Sequence, residues 1–153
     1  MQLYTWFYSL SEALPPEQEA ALKADFTQFL SQWKSHGVPV EGMIEVRYGQ
    51  FVVIKSDSSD SRPSGCSIDS LKRSVSKILN HHGLEVLDPA HVFFRQGDGS
   101  ITQSHFRELG ALAQSGVLTA DTIVFDNSLG QSDDMNRWEV SLKELDRKST
   151  RLN

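Results

Sequence analysis

The feature that most constrains the fold is a short apolar run, Phe51-Val52-Val53-Ile54, which directly follows an alternating segment. In that segment Ile44 and Val46 alternate with charged residues, as in a strand with one solvated face. Tyr48-Gly49-Gln50 stands between the two stretches and predicts a tight turn. The pattern therefore predicts a β-hairpin whose second strand is a central strand of a sheet.

Two amphipathic segments flank this hairpin and predict helices. The first starts at Pro15-Pro16, since proline is tolerated in the first turn, and is expected to end at Gly37. The second runs from about Ser67 to His82. Apolar residues recur at helical spacing in both segments. They are Leu22, Phe26, Phe29, Leu30 and Trp33 in the first helix, and Ile68, Leu71, Val75, Ile78 and Leu79 in the second.

An alternating stretch at residues 2–8 and a short apolar run, Val92-Phe93-Phe94, predict a first and a last strand. The element order is then β-α-β-β-α-β, which is the order of a ferredoxin-like split βαβ sandwich. We therefore predict an α+β fold in which residues 1–96 form a four-stranded antiparallel sheet with both helices on one face.

Residues 97–143 predict a smaller β-α-β unit that packs on this core. Gly97-Asp98-Gly99 indicates a turn, a short amphipathic helix runs from Phe106 to Gly116, and strands are expected at 123–125 and 138–140. Residues 147–153 form a basic stretch without apolar periodicity, at the end of a segment that starts at residue 144. We expect residues 144–153 to be a disordered or artefactual tail.

The composition excludes several classes of function. Fifteen basic residues stand against 20 acidic ones, for a net charge of −5, so nucleic-acid binding, which needs grouped cations, is not expected. No run approaches the roughly 20 apolar residues of a membrane span, and the N-terminus lacks the features of a signal peptide. Cys66 is the single cysteine, so no intramolecular disulfide can form. These features indicate a cytoplasmic protein.

Several short segments carry a resemblance to known proteins. They are Trp33-Lys34-Ser35-His36-Gly37, Glu45-Val46-Arg47-Tyr48, Gly65-Cys66-Ser67-Ile68-Asp69, Thr122-Ile123-Val124-Phe125-Asp126-Asn127 and Trp138-Glu139-Val140. Together they resemble a family of small uncharacterised bacterial proteins that are often labelled ABC transporter ATPases. The resemblance implies a cytoplasmic protein and transfers no catalytic residues. The ATPase label itself does not fit, because the sequence contains no Gly-x-x-x-x-Gly-Lys-Ser/Thr loop to hold phosphates.

A second resemblance covers residues 100–140. The helix from Phe106 to Gly116, the segment Asp121-Thr122-Ile123-Val124-Phe125 and the later Trp138 resemble the GYF-2 type of small domain. The family's Gly-Pro-aromatic segment is replaced here by Gly99-Ser100-Ile101. The resemblance therefore implies the local architecture without binding of proline-rich peptides.

Cys66 lies at or just before the start of the second predicted helix, where the reactive thiolate is favoured. In the predicted topology His36 and Arg95 reach the same edge of the sandwich, whereas three other histidines lie at the far edge. These are His81, His82 and His91. The pattern leaves two interpretations open: a nucleophile with His36 as its base, or a small buried side chain, with His36 capping the first helix.

Free amides at a helix start can also bind a phosphate or a carboxylate. The candidate ligand-binding residues are Gly65, Cys66, Ser67, Asp69 and Arg95. For Ser67 the alternative is an N-cap, and for Asp69 a first-turn acid that the helix dipole favours. The spacing of the histidines and acids predicts no metal site, and the sequence indicates no cofactor.

The sequence thus favours a non-catalytic module that binds a protein or a small anionic ligand. The alternative is a thiol-dependent or anion-binding enzyme, in which Cys66 attacks, His36 accepts the proton and the Ser67 amide stabilises an oxyanion. Homodimerisation through the open sheet face or an edge strand is a further prediction.

Overall fold

The computed structural model describes residues 3–57, 64–127 and 135–145, and the chain divides into two compact units. The first unit contains the described residues up to Leu87, and the second contains those from Asp88 onward. Both contain helices and antiparallel strands, which confirms the predicted α+β class. The division comes earlier in the chain than the boundary expected after residue 96.

The first unit contains a three-stranded antiparallel sheet, a two-stranded ribbon and two helices. In chain order the elements are β1 (Leu3–Ser9), α1 (Pro16–Leu30), β2 (Lys34–Ser35), β3 (Val38–Pro39), β4 (Glu41–Arg47), β5 (Phe51–Asp57) and α2 (Gly65–His81). The sheet has the order β1-β5-β4, and β2 pairs with β3. The predicted hairpin and its central second strand are confirmed, since β5 pairs with both neighbours over its whole length.

Alternation along β5 sends its side chains to opposite faces of the sheet. Val52 and Ile54 face a single buried core that both helices share, while Phe51 and Val53 point the other way and are also fully buried. The helix residues in this core are Leu22, Phe26, Leu30, Leu71, Val75 and Leu79. Most of the two predicted stripes therefore form the core, and each fully buried leucine contributes about 1.5–3 kcal/mol.

Helix α1 is shorter than predicted, because it ends at Leu30 rather than next to Gly37. His36 (φ 53°) and Gly37 (φ 79°) form the turn of the β2–β3 hairpin, where both central residues adopt positive φ. Trp33 remains in the core beyond the helix, and its Nε1–H donates to the Ser67 carbonyl at 2.9 Å. The capping role predicted for His36 is wrong, since a His-Gly pair suits a left-handed turn as well as a helix end.

The four-stranded ferredoxin-like sheet is not formed by the described residues. The run 92–94, which was expected to complete it, lies in β6 (His91–Arg95) of the second unit. Beside β1 the first unit has a single antiparallel bridge, between Leu10 and Val86. β6 pairs instead with the strand that follows it after a short turn. Closing such a short loop costs little conformational entropy, so the local hairpin is favoured over the distant partner.

The second unit contains a four-stranded antiparallel sheet of order β7-β6-β8-β9. After β6 its elements are β7 (Ile101–His105), α3 (Leu109–Gln114), β8 (Ile123–Phe125) and β9 (Glu139–Ser141), with 3-10 turns at Phe106–Glu108 and Met135–Arg137. A small core surrounds Phe94, Leu118 and Val124. The predicted strands near 123 and 139 are confirmed. The helix predicted from Phe106 is divided into a 3-10 turn and α3. Strand β7 was not predicted. Residues 142–145 are helical, and the rest of the predicted tail lies outside the described residues.

Candidate functional site

Serine side chains organise the N-terminus of α2. The Ser64 Oγ accepts a hydrogen bond from the Ser67 amide (3.1 Å), and the Ser67 hydroxyl donates to the Ser64 carbonyl (2.8 Å). The Ser64 amide in turn donates to Ser35 Oγ at 3.0 Å. Ser64 is therefore the N-cap, and the N-cap assignment of Ser67 is wrong, because Gly65 and Cys66 already lie inside the helix.

This cap changes what the helix start can offer a ligand. The Ser67 amide, which the enzyme hypothesis uses as an oxyanion donor, already donates to Ser64, and Ser67 itself is buried. Asp69 is exposed and lies beyond the first turn, which contains no acidic residue. Gly65 and Cys66 are exposed, so their amides are the ones that face solvent at this end.

Cys66 is an exposed thiol at the second position of α2. The interpretation of Cys66 as a buried side chain is therefore wrong. The Ser35–Ser64 hydrogen bond places the β2–β3 hairpin, with His36 at its turn, next to the helix start. His36 is exposed as well, and no hydrogen bond joins its ring to the Cys66 thiol in the described parts of the chain.

Arg95 does not lie where the predicted topology put it. It ends β6 in the second unit, where its guanidinium donates to the Gly99 carbonyl (2.9 Å) and to Glu139 Oε1 (2.8 Å). Its Cζ also lies 5.4 Å from the centre of the Phe125 ring. The topology that put Arg95 at the Cys66 edge is not formed by the described residues, because β6 belongs to the sheet of the second unit.

A shallow concavity of about 430 Å³ lies beside Arg95 in the second unit. Val117, Thr119 and Ile123 supply part of its wall, together with Asp121. The charged groups there already have partners, since Asp121 accepts a hydrogen bond from Lys143 Nζ at 3.1 Å. The concavity is thus open, and its charged side chains already contact other residues of the chain. It is therefore a weak candidate for binding a small anionic ligand.

The histidines predicted at the far edge fall into two different settings. His82 is the C-cap of α2, and its Nε2 lies 2.7 Å from Asp25 Oδ2 on α1. His81 is exposed, and its ring meets that of His82 edge to face at 5.5 Å. His82 therefore links the two helices of the core, which is a structural role.

His91 belongs to a row of three rings that the sequence did not reveal. His91 and His105 are directly paired across β6 and β7, with ring centres 5.5 Å apart at 78°. The Phe106 ring follows, 4.8 Å from that of His105 and tilted by 31°. We call these three side chains the ring ladder. The signal was available in the sequence, because His91 and His105 are equally far from the turn residue Asp98.

Hydrogen bonds fix both ends of the ring ladder. Asp88 Oδ1 lies 3.0 Å from His91 Nδ1. The hydrogen bond from the Ala90 amide lowers the pKa of the Asp88 carboxyl most, and the hydrogen bond with the His91 ring lowers it further. His105 Nδ1 accepts a hydrogen bond from the Arg107 amide at 3.2 Å. The Phe106 amide donates to the Ala90 carbonyl at 2.8 Å.

Two searches of the described residues give negative results. Across 3–57, 64–127 and 135–145, no helix combines the length and the apolar character that crossing a membrane requires. In the same ranges, no three His, Cys, Asp or Glu side chains converge as ligands for a metal ion.

Comparison with known proteins finds no matching family model, curated protein or solved structure. The two family resemblances therefore stay predictions.

Proposed function

We propose that this protein is a binding module that docks a protein partner on the ring ladder. The observation that supports this function concerns Phe106, which is 56% exposed. Its backbone amide nevertheless donates a hydrogen bond to the Ala90 carbonyl. An exposed phenylalanine adds little to the core. Large aromatic side chains that stay exposed in a fixed position are typical of interface anchors.

The ring ladder is organised before any partner arrives. The Phe106–Ala90 hydrogen bond anchors the backbone at the ring itself, and the His105 cap holds the turn that follows. The Glu108 carboxylate accepts the Ser104 hydroxyl at 3.0 Å, which ties the far end of the turn back to β7. A side chain that is already ordered loses less conformational entropy on binding, so more of its contact energy contributes to affinity.

The surroundings of the ring ladder indicate the chemistry of the partner. Asp88 lies at one end with its side chain 65% exposed, and hydrogen bonds from Ala90 and His91 lower the pKa of its carboxyl. The Phe106 ring offers an apolar face at the other end. An extended protein segment with an apolar side chain followed by lysine or arginine would satisfy both ends.

Peptide selection tests this proposal. Random peptides displayed on phage are selected against the immobilised full chain, and the enriched peptides are titrated into isotope-labelled protein. We expect the amide shifts to concentrate at His91, His105 and Phe106. Phe106→Ala should weaken binding at least about tenfold, as for an interface anchor, while the melting temperature stays unchanged.

Val117→Ala is the matched control, because Val117 is also an exposed apolar residue of the second unit but lies outside the ring ladder. It should bind like the wild type. Enriched peptides whose shifts map elsewhere, or equal affinity for Phe106→Ala, would contradict the proposal.

The exposure of Cys66 favours a second candidate, a thiol-dependent enzyme with His36 as base. Labelling of the intact protein with iodoacetamide across a pH series separates the two candidates. Rapid labelling with a midpoint well below that of a free thiol would support the enzyme. Sluggish labelling with an ordinary midpoint would exclude Cys66 as an activated nucleophile. Cys66→Ser is the blank, since the chain has no other cysteine.

A further inference from the structure

The outer edge of β4 is open to another strand. In the order β1-β5-β4, β4 is an edge strand, and among the described residues its only strand partner is β5. The other edge strand, β1, already engages residues near Val86, because Leu87 donates to the Ser9 carbonyl and Leu10 forms a bridge with Val86. Of the devices that protect edges, β4 has charged side chains, but it contains no proline, and its one-to-one pairing with β5 leaves no bulge.

When two copies of β4 run antiparallel, charged residues of one copy can lie opposite residues of the other sign in the second copy. Side chains on the face opposite the helices run Glu41, Met43, Glu45, Arg47. If a second copy pairs antiparallel about Ile44, Glu41 lies opposite Arg47 of that copy, and the same contact occurs twice by symmetry. Arg47 Nε also lies 3.1 Å from Glu45 Oε2 of its own chain, so its guanidinium would be shared between two carboxylates. Opposite charges directly across two strands stabilise a pair of strands.

Other registers bring like charges together. Only residues on the same face of the sheet meet across an antiparallel pair, so the alternatives that keep five of the seven residues of β4 paired shift the centre by one residue, to Met43 or Glu45. Centring on Met43 sets Glu41 opposite Glu45 of the other copy. Centring on Glu45 sets that residue opposite itself. The pattern therefore selects the register centred on Ile44.

The position of Glu41 adds a second reason. Within the chain it lies directly across from Asp57, an acidic neighbour on the same face. Glu41 is exposed, and it has no ion pair with any described residue. A cation opposite Glu41 would give this carboxylate an ion-pair partner. Met43, which is 55% exposed, would lie diagonally across from Met43 of the second copy and lose part of that exposure.

We propose that the protein forms a symmetric dimer through antiparallel β4–β4 pairing centred on Ile44, with two Glu41–Arg47 pairs across the interface. The dimer extends the sheet of the first unit from three strands to six. It does not depend on the ring ladder, which lies in the second unit.

Light scattering of the full-length chain with two charge variants tests the proposal. The wild-type mass should rise with concentration towards twice the 17.2 kDa of one chain. Glu41→Arg and Arg47→Glu should each weaken the dimer at least about tenfold, because each creates two like-charge contacts. An equimolar mixture of the two variants should dimerise again, since each heterodimer contact pairs an arginine with a glutamate.

Glu12→Arg makes the same charge change at an exposed position away from β4 and should dimerise like the wild type. Circular dichroism checks that every variant is folded. A wild-type protein that keeps the single-chain mass at millimolar concentration would overturn the proposal. So would a folded Glu41→Arg variant that dimerises normally, or a mixture of folded variants that stays monomeric.

Discussion

Gly42 is the residue at which a single methyl group should have the clearest effect on stability. It lies in β4 opposite Ser56, where the last residue of α1, Leu30, packs against the strand. A Cβ atom at this position would lie 2.8 Å from Leu30 Cδ2 and 3.4 Å from Trp33 Cε3. Both neighbours are buried, so neither can move away into solvent.

The expected magnitude follows from two opposing terms. Forcing an extra methyl group into a packed core costs about 1–3 kcal/mol. Replacing glycine by alanine also restricts the unfolded chain, which returns about 0.4–1 kcal/mol where the backbone is compatible. Gly42 has no positive φ, so this second term applies. We expect Gly42→Ala to lower the free energy of unfolding by about 1–2 kcal/mol.

Urea unfolding followed by tryptophan fluorescence measures the effect, because Trp6 and Trp33 are in contact in this core with ring centres 5.6 Å apart. The midpoint should fall without a change in the slope of the transition. Gly65→Ala is the matched control, since a Cβ there meets nothing within 4 Å. It should be neutral or stabilising, as alanine is favoured over glycine in a helix.

A double-mutant cycle identifies the cause. Leu30→Ala alone should cost about 2–5 kcal/mol through the cavity it leaves. In the double variant the methyl group added at position 42 occupies part of that cavity, so the combined loss should be smaller than the sum of the two single losses. Additive losses, or a Gly42→Ala protein as stable as the wild type, would refute the close packing inferred here.

Two further predictions concern titratable groups in the first unit. Burial raises the pKa of Tyr8 to about 12. The stability that depends on the neutral phenol is therefore fully present below pH 10.0, the pKa of tyrosine in the unfolded chain, and is lost as the pH rises towards 12. Tyr8→Phe should flatten this alkaline loss in urea midpoints, and unchanged alkaline sensitivity would contradict the assignment. Asp25→Asn should cost about 1 kcal/mol, because it removes a carboxylate that pairs with His82 between α1 and α2. The same substitution in a His82→Ala background should then have almost no effect, and an equal loss in both backgrounds would exclude the pair as the cause.

Local patterns predicted most of the elements correctly. The hairpin of β4 and β5 was recognisable because a tight turn separates two strand-like stretches, and all three signals lie within a few residues. The stripes of α1 and α2 were recognisable because helical spacing must match the buried face. The end of α1 was not recognisable, since His36-Gly37 is compatible with both a helix stop and a hairpin turn. Which of the two forms depends on what Trp33 packs against.

For the candidate sites, too, the sequence predicted local features and missed those that depend on contacts between distant residues. The sequence singled out Cys66 and placed His36 near the same helix start, and the Ser35–Ser64 contact agrees with that neighbourhood. It assigned the strand at 91–95, which ends at Arg95, to the wrong sheet, because the partner of that strand is chosen by competition between a local hairpin and a distant sheet. The ring ladder escaped notice for the same reason: His91 and His105 become neighbours only once β6 pairs with β7.

By itself, the sequence determined the α+β class, the hairpin, the two core helices and the position of the single thiol at a helix start. Each of these depends on residues that are close together in the chain, where periodicity and turn chemistry act directly. The tertiary structure alone decided which strands share a sheet, which serine caps α2, and which rings meet on the surface. Those outcomes depend on contacts between distant residues, and such contacts form only where the gain from packing exceeds the entropy lost in bringing the segments together.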